Sequence, residues 1–441
     1  MTQIDSDTPE MALYVHIPFC ETKCPYCDFN TYEGISNLIP DYVKALCKEL
    51  SYWGSTLSRP VLSTIFIGGG TPSLLSEQQL ATIIDNIFRQ FSCSSVTEIT
   101  LECNPGDLDY KKAVSLRRTG ISRLSIGVQS LDDEILRVLG RRHTSEEAVQ
   151  AYHSVRAAGF DRVNLDFMYG VPLQTLSSWQ QTIGQAILLA PDHLSLYCLT
   201  IEPNTPMDAM TKRGHLPEPD PDLAADMYEY CVTALSENEY HHYEISNWAK
   251  PGQVSLHNLT YWKNGYYLGV GPGAHSHLSP EHISLPSSIE LDAIATAGSQ
   301  NQERSSYRFS VIRSPREYIQ KTSSLPSGGG PSGIEENERH LPATFPSPKA
   351  IWFLSGLLDN LEAIAPEMQM AETMMLGLRL SEGVNDEMFE KRFHQSLRET
   401  YPHIIAELLD LELVEWQQGT LTLTSQGMLF GNEVFMRFVS E

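Results

Sequence analysis

The run Leu13-Tyr14-Val15-His16-Ile17-Pro18-Phe19-Cys20-Glu21-Thr22-Lys23-Cys24-Pro25-Tyr26-Cys27 sets the reading of the whole chain. An apolar, β-branched stretch, Leu13–Ile17, reads as a strand and leads directly into a loop with three cysteines. Outward from it the same rhythm repeats. Further strands read near Thr64–Ile67, Ile99–Glu102, Leu124–Val128, Val163–Phe167 and Leu194–Leu199, with longer amphipathic stretches between them. In Ser76–Phe91, residues Ile83, Ile84, Ile87 and Phe91 form one stripe. In Thr144–Ala158, Thr144 or Ser145 can cap the helix, and Glu146 and Glu147 suit its N-terminus. Gly120 and Gly159 stop helices just before the next strand. Six βα units in a row imply an α/β fold with a parallel sheet, either a full or partial barrel or a doubly wound sheet. The strand ends favour the barrel: Gly68-Gly69-Gly70-Thr71, Glu102, Gln129, Asp166 and Glu202 are glycine-rich or polar, as at the C-terminal rim that carries a barrel's chemistry.

The chain has 441 residues, length for about three domains. With 41% hydrophobic residues it can bury a substantial core. Its 31 Lys and Arg against 55 Asp and Glu leave a net charge of −24. That argues against a nucleic-acid surface, where clustered basic residues replace counterions, and disfavours docking on anionic lipid by charge alone. No run approaches the ~18 apolar residues of a transmembrane helix. Met1–Met11 is polar and acidic, without the apolar core of a secretory signal. Eight cysteines are too sparse for a disulfide scaffold. A cytoplasmic protein is expected.

The domain reading follows the patterning: 1–12 is a tail and 13–278 a core with its extension. Residues 279–305 lack periodicity and read as a mobile insertion. Residues 306–321 return to the core, and 322–349, containing Ser327-Gly328-Gly329-Gly330-Pro331-Ser332-Gly333, read as a flexible linker. Residues 350–441 differ in character. Amphipathic helices around Ala371–Leu380 and Ile404–Leu413 precede a hairpin, Val414–Leu423, turning near Gly419, and together they read as a small α+β, winged-helix-like module.

Three of the eight cysteines lie within Cys20–Cys27, which in a reducing compartment points to metal or redox chemistry. Three thiolates on one compact loop can hold three irons of a [4Fe–4S] cluster and leave the fourth open to an external ligand. Structural zinc, with His16 or a distant residue as fourth ligand, is the alternative, as are incidental buried thiols. Cys47, Cys93, Cys103, Cys198 and Cys231 are scattered and read as small buried apolar residues, with Cys103 held in reserve beside Glu102. Met368, Met370, Met374 and Met375 crowd one helical stretch and read as core, with a soft heme-facing or partner-facing surface as the alternative.

Tyr14-Val15-His16-Ile17-Pro18-Phe19-Cys20 followed by Cys24 and Cys27 resembles the C-x3-C-x2-C motif of the radical S-adenosylmethionine superfamily. Its flanks resemble the oxygen-independent coproporphyrinogen III oxidase-like family. The likeness extends to Gly68-Gly69-Gly70-Thr71-Pro72, Gly127-Val128-Gln129-Ser130, Asp166-Phe167-Met168-Tyr169-Gly170 and the C-terminal module. It implies a partial (β/α)6 barrel, a [4Fe–4S] cluster on Cys20, Cys24 and Cys27, bound S-adenosylmethionine, and an electron donor. The family's S-adenosylmethionine positions fall on Tyr14, Tyr26 (beside the adenine), Gly69, Gly70 and Thr71 (backbone toward the methionine end), Glu102, Gln129, Arg141 and Asp166. Arg142, next to Arg141, is its equal by composition.

Two branches of that family remain. The porphyrinogen-oxidising enzymes cleave S-adenosylmethionine to a 5′-deoxyadenosyl radical and oxidatively decarboxylate coproporphyrinogen III. They carry a fourth cysteine two residues after the third, where this chain has Phe29, and a longer segment before the cluster loop. The sister branch of heme chaperones carries the His-Asn-x-x-Tyr-Trp motif found here as His257-Asn258-Leu259-Thr260-Tyr261-Trp262. A histidine nitrogen can ligate heme iron, and Tyr261 and Trp262 offer flat apolar faces. His275 and His277 are alternative ligands. The resemblance therefore implies binding of heme and its delivery to an acceptor protein, respiratory or membrane-attached, with no catalytic residue assigned.

Overall fold

The computed structural model describes residues 10–279, 281–282, 306–325 and 356–439. Most of the expected insertion and linker lies outside the described residues.

All six expected strands form, the first five slightly longer than their apolar runs and the sixth shifted back by one residue: β1 (Met11–Ile17), β2 (Leu62–Gly69), β3 (Glu98–Cys103), β4 (Arg123–Gln129), β5 (Val163–Tyr169) and β6 (His193–Cys198). The helices between them start where the sequence caps them. Ser76 and Thr144 each close a capping box, with Gln79 and Glu147, ahead of Glu77–Gln90 and Ser145–Ala157. The α/β class is borne out. Six further strands lack a clear alternating pattern, being short or half-buried: β7 (His241–Glu244), β8 (Asn247–Ala249), β9 (Tyr267–Val270), β10 (His275–Leu278), β11 (Ser306–Val311) and β12 (Leu358–Ile364).

The chain divides into two compact units. The first comprises Met1–Glu21, Asn30–Ile99 and Gly265–Pro366. In it β1 pairs parallel with both β2 and β9, and β9, β10, β11 and β12 follow in antiparallel succession. Strand β12 therefore belongs with this unit, and the chain leaves it at Pro366, later than the boundary at 350 expected from patterning.

The second unit comprises Thr22–Phe29, Thr100–Asn264 and Glu367–Glu441. Strands β3, β4, β5 and β6 run parallel, and β8 and β7 extend them antiparallel. The C-terminal module lies in this unit. Its helices Pro366–Gly377 and Pro402–Asp410 precede β14 (Val414–Gln417) and β15 (Thr420–Leu423), and β13 (Val384–Asn385) joins them in a three-stranded sheet. Met370 and Met374 are core residues of the module, as expected, whereas Met368 is exposed. Among the described residues no helix is long and apolar enough to cross a membrane.

One buried carboxyl in the first unit braces the chain ahead of the cysteine loop. Glu49 accepts hydrogen bonds from the Tyr318 hydroxyl at 2.5 Å and from the Gly271 amide at 2.9 Å. Gly271 sits at φ +93, and a Cβ there would lie 2.6 Å from the His16 carbonyl oxygen. That same oxygen accepts the Tyr42 hydroxyl at 2.5 Å. Burial raises the Glu49 carboxyl to about 7, against hydrogen bonds that lower it. The folded chain thus holds its proton where the unfolded chain, at the ordinary 4.5, has lost it. Stability contributed at low pH falls as pH rises from 4.5 to 7, by about 3 kcal/mol. Glu49→Gln should remove that decline. Denaturant titrations at pH 5 and 8 check it, and curves that stay parallel for the two proteins would refute the assignment.

Candidate functional site

In the first unit the site is built on the C-terminal ends of β1 and β2. His16 is buried and its ring is fully engaged: Nε2 lies 3.0 Å from the Asn30 carbonyl oxygen and Nδ1 lies 3.0 Å from the Tyr14 hydroxyl. The carbonyl can only accept, so Nε2 carries the proton and Nδ1 accepts from Tyr14. Burial lowers the His16 pKa and keeps the ring neutral. Neither nitrogen is left for a metal, which removes the zinc reading with His16 as fourth ligand. Tyr14, expected near S-adenosylmethionine, spends its hydroxyl on this ring.

The glycines of β2 are fitted against the same backbone. Gly69 sits at φ +112, and a Cβ there would come within 2.5 Å of the His16 ring. The Gly70 amide donates to the Ile17 carbonyl at 2.7 Å and the Thr71 amide to the Phe19 carbonyl at 2.8 Å. A Cβ on Gly70 would stand 2.6 Å from the Phe19 carbonyl oxygen. A valine there meets the backbone leading into Cys20 before it meets any ligand. The Thr71 hydroxyl donates to Cys20 Sγ at 3.6 Å. A hydroxyl donor aimed at this buried sulfur suits a cluster ligand.

In the second unit, Cys24 and Cys27 form a tight turn, with the Cys27 amide donating to the Cys24 carbonyl at 3.1 Å. Arg141 reaches this turn: Nη1 donates to Cys24 Sγ at 3.5 Å and Nη2 to the Gly127 carbonyl at 2.8 Å. Its neighbour Arg142 instead pairs with Asp107 at 3.3 Å. Tyr26 packs on an apolar cluster of Ile135, Leu139, Met168, Val171, Leu199, Met207 and Leu216, and burial pushes its phenol pKa up. Gln129 closes β4 with φ +68, next to a register shift against β5. A left-handed residue that is not glycine costs about 1–3 kcal/mol and tends to persist at functional sites.

Glu102 sits on β3, partly exposed. Asp166 on β5 is held on both oxygens: Ser125 donates to Oδ2 at 2.9 Å and the Asn164 amide to Oδ1 at 2.8 Å. Burial raises the Asp166 pKa, opposed by these donors, by Ser195 and by the charge of Arg123. Sequence reasoning missed Ser125, Asn164 and Ser195. Register, which the sequence does not show, places Ser195 opposite Asp166, and Ser125 opposite Asn164 two residues back along β5.

The heme motif lies on the helix Leu256–Trp262 of the second unit. His257 is 1% exposed, and its Nε2 is 2.9 Å from the Tyr261 hydroxyl. Burial, helped by the charge of Arg123, lowers its pKa to about 3, so the ring is neutral. The Arg379 guanidinium lies 4.8 Å over the Trp262 ring. In the first unit His277 is also buried, 2.7 Å from Ser306 Oγ, while His275 is exposed on β10. Among the described residues no three His, Cys, Asp or Glu side chains converge as a single metal ion requires.

Comparison with known proteins adds the following. Residues 14–186 match the family model described as Radical SAM superfamily, and residues 364–430 match the HemN C-terminal domain. The chain is 34% identical to the heme chaperone HemW of Bacillus subtilis (strain 168), over 97% of this chain and 99% of that protein. It is 31% identical to the heme chaperone HemW of Lactococcus lactis subsp. lactis (strain IL1403), over 97% and 96% respectively. To the heme chaperone HemW of Escherichia coli (strain K12) it is 42% identical over 62% of this chain and 71% of that protein. Among solved structures, coproporphyrinogen III oxidase (HemN) from Escherichia coli superposes with a TM-score of 0.73 at 20% identity, covering 97% of this chain and 90% of that one. That is a likeness of fold.

Proposed function

From the premise that the chain belongs to the HemW family within the radical S-adenosylmethionine superfamily, we propose that it binds heme together with a [4Fe–4S] cluster and S-adenosylmethionine, and hands the heme to an acceptor protein. The observation that carries this reading is the end-to-end likeness to the Bacillus subtilis heme chaperone, 34% identity over 99% of that protein. Phe29, at the position of the oxidases' fourth cysteine, supports it; its side chain is 64% exposed.

Cys20, Cys24 and Cys27 would hold the cluster. When bound, it supplies a one-electron couple and an iron open to an external ligand. The residues fit such a group: the Thr71 hydroxyl and the Arg141 guanidinium each aim a donor at a cysteine sulfur. For S-adenosylmethionine, Glu102 near the end of β3, Gln129 at the end of β4 and Asp166 midway along β5 would offer polar groups, and Tyr26 of the cysteine turn an aromatic face. Gly69, Gly70 and Thr71 would line the methionine end; the Gly70 and Thr71 amides and the Thr71 carbonyl, which accepts from Leu74, are already committed, so the Gly69 and Gly70 carbonyls would be the acceptors for the ammonium. Arg141 acts through Cys24 and Gly127, neutralising thiolate charge, as well as toward the ligand. An oxygen-labile cluster and a net charge of −24 suit a reducing cytoplasm with an electron donor and a protein acceptor.

Anaerobically reconstituted protein incubated with heme and, separately, with coproporphyrinogen III tests the reading. Heme should bind near one per chain, and coproporphyrinogen III should persist. Robust conversion to protoporphyrinogen IX would overturn the chaperone reading and make the chain an oxidase.

A further inference from the structure

A chain of buried polar side chains crosses three strands of the second unit and ends on Asp166. Register puts Ser125 of β4 beside Asn164 of β5, Asn164 beside His193 of β6, and Asp166 beside Ser195. Asn164 and His193 are each 1% exposed. The Asn164 amide nitrogen donates to Asp166 Oδ1 and to Ser125 Oγ, both at 2.8 Å, so its Oδ1 is the accepting side. That oxygen lies 2.7 Å from His193 Nδ1 and also accepts from Ser195 Oγ at 3.2 Å. His193 Nδ1 therefore carries the ring proton, and Nε2 accepts from the Tyr243 hydroxyl 2.8 Å away. The Tyr243 oxygen in turn accepts the Ser255 amide at 3.4 Å. Ser255 is fully buried, and its side chain caps the helix that carries His257. Every donor in the series points toward the carboxylate.

We infer that His193 and Asn164 are positioning residues that hold Asp166 ionised and fixed in rotamer at the S-adenosylmethionine side of the sheet, through a one-way relay starting at the Ser255 amide. The physical reason is cooperative polarisation. A donor on Asn164 Oδ1 strengthens the Nδ2–H bond to the carboxylate, and a neutral His193 supplies that donor in only one tautomer. Burial, with the charges of Arg123 and Arg162, keeps His193 neutral, which supports the same geometry. The titratable and charged groups facing Asp166 are Arg123 from β4 and Tyr197 from β6, and neither belongs to the relay. The relay stands on its own geometry; only its use rests on the reading above that Asp166 faces S-adenosylmethionine.

The relay is read first without any ligand, on the full-length chain. The difference in unfolding free energy between wild type and Asp166→Asn, followed from pH 4 to pH 8, marks the titration of Asp166. In a His193→Leu background that step should move up by about one pH unit. His193→Asn, whose amide can replace Nδ1–H, should return it. A step that stays in place, or an Asn variant that behaves like Leu, overturns the relay. S-adenosylmethionine binding to reconstituted protein is then measured by calorimetry over the same range. The acid limb of affinity should shift with the titration step, whereas a purely structural defect lowers affinity equally at every pH. Unchanged affinity in Asp166→Asn removes Asp166 from the ligand site and leaves the relay standing.

Discussion

Alanine at Cys20, Cys24 or Cys27 is expected to leave anaerobically reconstituted protein almost without iron, against about four irons per chain in the native protein. A cluster held by three thiolates has no reserve, because removing one leaves two anchors for a group that needs three. The supports are local. Cys20 is buried three residues beyond the end of β1 and accepts from the Thr71 hydroxyl, and Cys24 receives the Arg141 guanidinium. The other thiols give an internal control. Cys103 and Cys231 are buried, which raises their pKa and makes them inert. Cys198 is exposed but lies on β6. Cys198→Ala should therefore retain native iron and labile sulfide. Iron near native levels in Cys24→Ala, or zinc without sulfide in the native protein, would sink the assignment.

What the sequence made legible were features whose cause lies within a few residues of their effect. The six βα units rest on local periodicity, and Ser76 and Thr144 cap helices by bonding three residues ahead. The hairpin at Gly419 follows from a turn that puts Gln418 and Gly419 at φ +50 and +81. The cysteine spacing is likewise written in eight consecutive positions.

What stayed illegible depends on which strand lies beside which. Arg141 and Arg142 have the same chemistry, yet one meets Cys24 and the other Asp107, a choice made by the turn after Gly140. The support of Asp166 comes from Ser125, 41 residues away in sequence. Strand β12 belongs with β11, although about fifty residues separate their paired positions. Burial is the other hidden quantity. His257, His275 and His277 are equal as residue types, and only the fold makes the first and third buried and the second exposed.

That difference shapes the second large effect, on heme. His257→Ala is expected to shift the absorption spectrum of bound heme and weaken binding at least tenfold, as loss of an axial ligand should. Burial keeps the His257 ring neutral, which is the form that ligates iron. Its Nε2, however, is already hydrogen-bonded to the Tyr261 hydroxyl at 2.9 Å, in an edge-on ring contact. Ligation at that nitrogen requires the hydroxyl to withdraw, and stacking on Trp262 requires the Arg379 guanidinium to leave its face or turn toward a heme carboxylate. Heme binding should therefore be slow, limited by opening of this helix. Tyr261→Phe, which removes the competing hydrogen-bond partner while keeping the ring, should bind heme faster than wild type by stopped-flow absorption. The exposed His275 supplies the contrast. If His275→Ala loses the ligand band while His257→Ala keeps it, the iron sits on β10 and the buried histidine is a packing residue. If Tyr261→Phe binds more slowly than wild type, the hydroxyl assists ligation instead of competing with it, and the opening step is wrong.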